Sequence, residues 1–317
     1  MRPFAGMPYG PAPGFCFPLT ELCMYVLFTL CCVHAWKRGA GSVAYLLGGL
    51  GFGLLLEYVN VATSAGYVYG KFWAMLGVPP NDIPLCIGMG WAVIMYTARL
   101  ITDVLGVPLW AAAAIDSLLA INIDLSMDVV AYRLHMWHWD WENRAGVEFS
   151  LTGGWFGIPY GNFYGWLLVV FFYSTFARLL ERTPLAKHTA WRILTPLLSI
   201  LLSQVALYIS LFPLSDWLRI FGVTSTHRFI AVLVLFAGIA IIGLRKRKPS
   251  LSPPALPLVT WLVPGWFHVY FISWFFGAGF YLENGWMTFW SVANFLAGIV
   301  IHWQLHRILT KRRPASA

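Results

Sequence analysis

Nine runs of about 20 mostly apolar residues follow one another along the chain, near 19–36, 43–62, 83–102, 108–127, 162–180, 191–212, 227–244, 257–280 and 285–304. A helix of that length spans the hydrocarbon layer of a bilayer. The pattern predicts an all-α, polytopic membrane helix bundle of about nine transmembrane helices. It divides the chain into an irregular N-terminal segment (1–18), a transmembrane domain (19–306) and a basic tail (307–317). No internal repeat is visible. The one compositional break, RKRKPSLSPPALP at 245–257, is a basic, Pro-rich connection too short to demand a second domain.

Composition agrees with the pattern. Hydrophobic residues make up 59% of the 317 residues, charged ones 11%, and the mean hydropathy is +0.69. A soluble domain is about 45–50% apolar and about 25% charged. The net charge of +8 could suit nucleic acid, but the basic residues sit in short clusters between apolar runs, so no nucleic-acid partner is expected. Alternate connections hold Lys37, Arg38, Arg99, Arg178, Arg182, Lys187, Arg192, the 245–248 cluster, Arg307 and 311–313. The opposite set holds only Arg2, Lys71, Arg133, Arg144, Arg219 and Arg228. The positive-inside rule then puts the N-terminus outside and the C-terminus in the cytoplasm. The five cysteines show no CxxC spacing and fall mostly in apolar runs, where they act as small hydrophobes. The Pro- and Gly-rich N-terminus lacks the pattern of a cleaved signal peptide.

Against this background the polar positions stand out. Glu57 lies near the outer end of the second run. Asp116, Asn122, Asp124 and Asp128 lie along the fourth, and Asn162 opens the fifth. Carboxylates in membrane-type sequence cost about 2.5–3.5 kcal/mol each, so they normally have a role. Asp124 and Asp128 share a helix face, and Asp116, two turns earlier, is expected roughly on that side. The bland alternative is that these acids pair with Arg99, Arg133 or one another and only lock the bundle. Two carboxylates this close resist being charged together, so the pair is expected to hold a proton suited to protonating carbon or oxygen.

Beside them runs HMWHWDW (135–141), in which Trp137, Trp139 and Trp141 alternate with His138 and Asp140. It is either an interfacial aromatic belt or a pocket lining that stabilises a cation through ring faces. Gly157-Ile158-Pro159 and Gly161-Asn162 predict a turn into the fifth helix, with Asn162 either a plain N-cap or the holder of a water. The histidines offer one HxxxH (His302, His306) and one HxxH (His135, His138), too few for a membrane di-iron centre, so no metal is expected. There is no phosphate loop, GxSxG or Cys-His pairing.

The ordered set Glu57, Gly66, Tyr69-Gly70, Ile83-Pro84-Leu85, Trp91, Asp124-x3-Asp128, Trp137-x-Trp139 and the block Gly157-Ile158-Pro159-x-x-Asn162-Phe163-x-Gly165-Trp166 resembles the membrane carotenoid 1,2-hydratases of the CruF type. These are the bisanhydrobacterioruberin and γ-carotene hydratases, and the resemblance covers about 45–185. It implies a multi-pass enzyme of a bacterial or archaeal cytoplasmic membrane, a hydro-lyase of carotenoid biosynthesis. Such an enzyme adds water across the terminal C1=C2 bond of an acyclic (ψ) end group by acid catalysis and needs no cofactor. Its partners would be an acyclic carotenoid entering laterally from the lipid phase, membrane lipids, and other enzymes of the pathway. On this reading Asp124 or Asp128 donates the proton, and its partner or Glu57 activates a water that Asn162 orients. Trp137, Trp139 and Trp166 shape the cation site, with Asp116, Tyr69 and Trp91 also at the substrate. Two other readings stay open. Asn122-x-Asp124-x3-Asp128 partly resembles the first Asp-rich motif of UbiA-like membrane prenyltransferases, although from the sixth run onward the chain offers only Asp216 and Glu283, far apart, for the second motif such enzymes need. The third is a non-catalytic carotenoid-binding membrane protein.

Overall fold

The computed structural model of the protein describes residues 12–63, 67–139, 154–247 and 255–310. The elements, in chain order, are α1 (Cys16–Arg38), α2 (Ala40–Thr63), β1 (Tyr67–Tyr69), β2 (Met75–Leu76), β3 (Ile83–Pro84), α3 (Leu85–Leu105), α4 (Leu109–Arg133), β4 (Trp137–Trp139), α5 (Tyr160–Glu181), α6 (Thr189–Leu211), α7 (Pro213–Ile220), α8 (Ser225–Arg245), α9 (Val259–Gly277) and α10 (Gly285–Thr310). The fold is an all-α bundle of membrane type. Each expected run falls on one long helix, and α7 is an additional short helix.

Local sequence explains the helix ends. Gly39, at φ 104°, ends α1 and returns its amide to Ala35 O and Trp36 O. Gly106 ends α3 in the left-handed region, and Pro108 precedes α4. Thr224 and His227 form a reciprocal capping box at the start of α8. Two outer boundaries differ from expectation: α1 begins inside the segment expected to be irregular, and α10 continues through Thr310, into the expected tail.

By length and apolarity, among the described residues, α1, α2, α3, α5, the continuous α6–α7 stretch and α8 qualify as membrane-crossing helices. α4 carries three acids and is buried almost all round. It packs on α3, α5, α8, α9 and α10. α2 joins α1, α3 and α6, while α9 covers α1, α3, α4 and α10.

Two small antiparallel ribbons were not foreseen. β1 pairs with β4 in the register Tyr67–Trp139, Val68–His138 and Tyr69–Trp137. β2 pairs with β3. Glu21 of α1, fully buried, fastens the intervening loop by accepting from Trp73 N at 2.7 Å and Ala74 N at 2.8 Å. The ribbons lie where the C-terminal ends of α2 and α4 meet the N-terminal ends of α3 and α5, and they roof that end of the bundle. Gly66, Asp140 and Trp141 fall outside the described residues.

Candidate active site

Beneath the ribbons lies a cavity of about 420 Å³ lined mainly by apolar and aromatic side chains. Glu57, Tyr69, Trp91, Asp128, Trp137, Trp139, Asn162 and Trp166, eight of the ten expected site residues, line it. Glu57 comes from the last turns of α2 and is 6% exposed. Trp91 Nε1 of α3 donates to its Oε1 at 2.8 Å, while Oε2 is a buried oxygen without a hydrogen-bond partner among the described residues. Asp128 of α4, 2% exposed, is held differently. Trp137 Nε1 donates to Oδ1 at 3.1 Å and Asn162 Nδ2 to Oδ2 at 2.5 Å, so both oxygens are occupied.

Asp124 stands behind Asp128. It is fully buried, does not line the cavity, and accepts from Asn162 Nδ2 at 3.3 Å. Its Oδ1 has no partner among the described residues. Two acids four residues apart, bridged by one amide, minimise repulsion by holding one proton between them. Asn162 therefore binds the carboxyl pair. The helix cap at this point is Pro159, which makes no side-chain bond, so the N-cap reading of Asn162 does not hold.

The turn that delivers Asn162 is tight. Trp155 and Ile158 exchange both backbone hydrogen bonds, at 2.8 and 3.1 Å, around Phe156 (φ 52°) and Gly157 (φ 93°). Positive φ at both central positions is the pattern of a type I′ turn, natural for Gly157 and strained for Phe156. Arg133 Nη1 donates to the Phe156 carbonyl at 3.0 Å and holds it there.

The aromatic walls follow from the ribbon. Period-two alternation turns Tyr67 and Tyr69, and opposite them Trp139 and Trp137, to one side. Tyr67 packs on Trp139 at 5.4 Å between centroids and Tyr69 on Trp137 at 6.2 Å. Burial pushes both phenols well above their ordinary pKa, so they stay protonated donors. On the other side Trp91 stacks on Trp166 at 3.9 Å. Gly53 of α2 makes room for this pair, because a Cβ there would meet Trp91 Cβ at 2.6 Å. Gly53→Ala is expected to displace Trp91 from Glu57 and cost about 1–3 kcal/mol as an overpacked site. Thermal unfolding and product formation should fall together.

Two acids or amides of the fourth run lie elsewhere. Asp116 is not at this cavity: it accepts from Thr102 Oγ1 and Ser174 Oγ, both at 2.6 Å, and pairs with Arg178 at 3.0 Å. Arg178 also binds Asp103, and Arg99 binds Glu181, forming a partly exposed ionic cluster at the opposite end of the bundle. Asp116, expected at the substrate, is thus paired instead with Arg178 of α5, the bland alternative with a partner other than Arg99 or Arg133. Asn122 faces α9 and α10, contacting Asn294 Oδ1 at 2.8 Å and His268 Nε2 at 3.1 Å. Asp116→Asn should destabilise the bundle by leaving Arg178 less well paired, yet leave conversion per folded molecule within about twofold of the parent. Unfolding midpoints and pigment analysis on the same preparation check this.

The sequence reading passed over the cavity's contributors from α1, α6, α7, α8 and α9, among them Met24, Leu211, Ser215, Arg228, Trp266 and Phe267. Single apolar residues in a membrane run carry no sign of facing a cavity. The one exception is Arg228, a cation at a helix start whose guanidinium lies 5.5 Å over the Tyr164 ring.

A family described as "carotenoid biosynthesis protein" matches this chain over residues 18–240, from α1 through most of α8. No curated protein and no solved structure matches it.

Proposed function

The chain belongs to the carotenoid biosynthesis protein family, and from that premise we propose that it is a carotenoid 1,2-hydratase, a hydro-lyase acting on an acyclic ψ end group. One observation carries the reading: two buried carboxyls from different helices reach one aromatic cavity with opposite hydrogen-bonding states. Asp128 has an N–H donor on each oxygen, which favours its anion. Glu57 has a single close N–H donor, the Trp91 indole, with the Tyr69 and Asn60 side chains as its other polar neighbours, and this buried setting suits a carboxyl with a proton to give.

This division gives a balanced reaction. Glu57 transfers its proton to C2, the C1=C2 π pair forms the new C–H bond, and C1 becomes a tertiary cation. The Trp91 and Trp166 ring faces and the Asp128 anion stabilise that charge. Water attacks C1, Asp128 takes the proton that the water sheds and releases it to solvent, and solvent returns one proton to Glu57, so both carboxyls regain their starting states. One water is added and nothing is oxidised or reduced. Asn162, Trp137 and Asp124 position Asp128. A cavity of about 420 Å³ is at the lower end for ligand sites, about 300–1,000 Å³, and suits an end group with the polyene trailing into lipid. We further propose that α4, α9 and α10 also cross the membrane, with the N-terminus outside and the cavity at the outer face of a bacterial or archaeal cytoplasmic membrane.

The two alternatives lack such support. A prenyltransferase needs a second acidic cluster, whereas Asp216 is tied to Arg219 and Glu283 to Arg133. A non-catalytic pigment carrier has no use for two buried carboxyls at its pocket. Expression in a host that accumulates an acyclic ψ-ended carotenoid tests the reading. The expected result is pigments heavier by one or two waters and bearing tertiary hydroxyls at C1. Pigments bound but unchanged in mass would support the carrier instead.

A further inference from the structure

The lining of the cavity falls into two arms of unlike chemistry, one carried by α1, α3 and α9 and the other by α5 to α8. Gly90 forms the floor of the first, and a Cβ built there would have Met24 Sδ at 3.9 Å and Phe267 Cζ at 4.0 Å as its nearest neighbours, with Trp266 and Phe271 completing the wall. The other arm lies among α5, α6, α7 and α8. Gly161 and Gly165 form its floor, and Ser215, Tyr164 and Arg228 give it polar groups. Arg228 Nη1 donates to Ser215 O at 2.9 Å, while its Nε is buried with no partner among the described residues. The arms are well separated in the bundle, since α9 packs on α1, α3, α4 and α10, and α8 on α4 and α5.

Resting on the hydratase reading, we propose that the arm between α1, α3 and α9 receives the polyene end group, and that the Arg228 arm supplies the water. A polyene laid against a guanidinium would strip its hydration without replacing a hydrogen bond, which is unfavourable. A carbocation developing at C1 would also be repelled by Arg228, whereas indole faces and carboxylates attract it. Water has the opposite preferences, and the unpartnered Nε–H of Arg228 offers its oxygen a hydrogen-bond donor on the way to Asp128. α7 suits the position of a water inlet at the membrane surface. It carries exposed Trp217 and Ile220 on a short helix that also exposes the Asp216–Arg219 pair.

Glycines allow each arm to be filled separately. A Cβ at Gly90 meets only ordinary van der Waals contacts and one at Gly165 meets nothing within 4 Å, so Gly90→Leu and Gly165→Leu narrow the space without forcing the helices apart. Purified protein would be titrated with an acyclic ψ-ended carotenoid in detergent micelles. Bound pigment would be read by its absorbance shift and hydration by product mass. Gly90→Leu is expected to weaken pigment binding at least about tenfold and to lose hydration with it. Gly165→Leu and Arg228→Leu are expected to bind pigment within about twofold of the parent yet hydrate it at least about tenfold more slowly. Arg228→Lys, which keeps a donor, should recover part of that rate.

Normal binding by Gly90→Leu, or lost binding by Gly165→Leu, would overturn the assignment of the arms. So would a parent protein that takes up no polyene. A parent that binds pigment without hydrating it, with binding still abolished by Gly90→Leu, would leave the polyene arm standing and defeat the hydratase reading alone.

Discussion

Glu57→Gln and Asp128→Asn should each lower hydration by about 10²–10⁴-fold, the usual contribution of a positioned acid or base, but they should stop different steps. In Asp128→Asn the proton donor is intact, so in heavy water C2 is still deuterated, and an untrapped cation returns its proton or deuteron to Glu57. Recovered substrate should then carry deuterium at C2. In Glu57→Gln no cation forms and recovered substrate should stay unlabelled. Mass spectrometry of the unreacted pigment reads the difference directly. Exchange in Glu57→Gln with none in Asp128→Asn would reverse the two roles and restore the Asp pair as the proton source. Asp124→Asn should be milder than either, because Asp124 acts through Asp128 and does not line the cavity.

The second large effect concerns stability. Arg133, only 1% exposed, binds Glu283 through Nε at 2.8 Å and Nη2 at 2.6 Å, and donates to Val129 O and Phe156 O. It ties the end of α4 to the turn before α5 and to the segment leading into α10. Arg133→Met removes the buried cation of an ion pair whose Glu283 partner reaches solvent and leaves two carbonyls short of a donor, at an expected cost of about 1–3 kcal/mol. The Asn162 turn should loosen with it. Thermal unfolding in detergent should show a drop in midpoint that Arg133→Met with Glu283→Leu reverses in part, because the double change removes the unpaired carboxylate. A loss under about 1 kcal/mol for the single variant would mean that the pair is not a structural tie.

Much of this arrangement was legible in the sequence, for definable reasons. Helices of about 20 apolar residues announce themselves by length, and alternating helix direction brought Glu57, Asp128 and Asn162 to one end. The spacing of four placed Asp124 and Asp128 together. The same geometry explains the two misplacements. Eight residues separate Asp116 from Asp124 by about 12 Å along the axis and about 80° around it, enough to turn Asp116 toward Arg178. Two residues put Asn122 about 160° from Asp124, facing α9 and α10. The β1–β4 ribbon had a faint signal in Tyr67-Val68-Tyr69 and Trp137-His138-Trp139, two short period-two stretches. Pairing across nearly 70 residues leaves no local trace of itself. The side chains from α9 and the partnership of Glu21 with the Trp73–Ala74 backbone depend wholly on tertiary packing.

The proposed hydration takes its oxygen from solvent water, and that oxygen can be followed. Purified protein given an acyclic ψ-ended carotenoid in ¹⁸O-labelled water under ordinary air should yield a product whose new C1 hydroxyl carries the label. A product bearing unlabelled oxygen from air, or pigment recovered without added oxygen, would contradict the account.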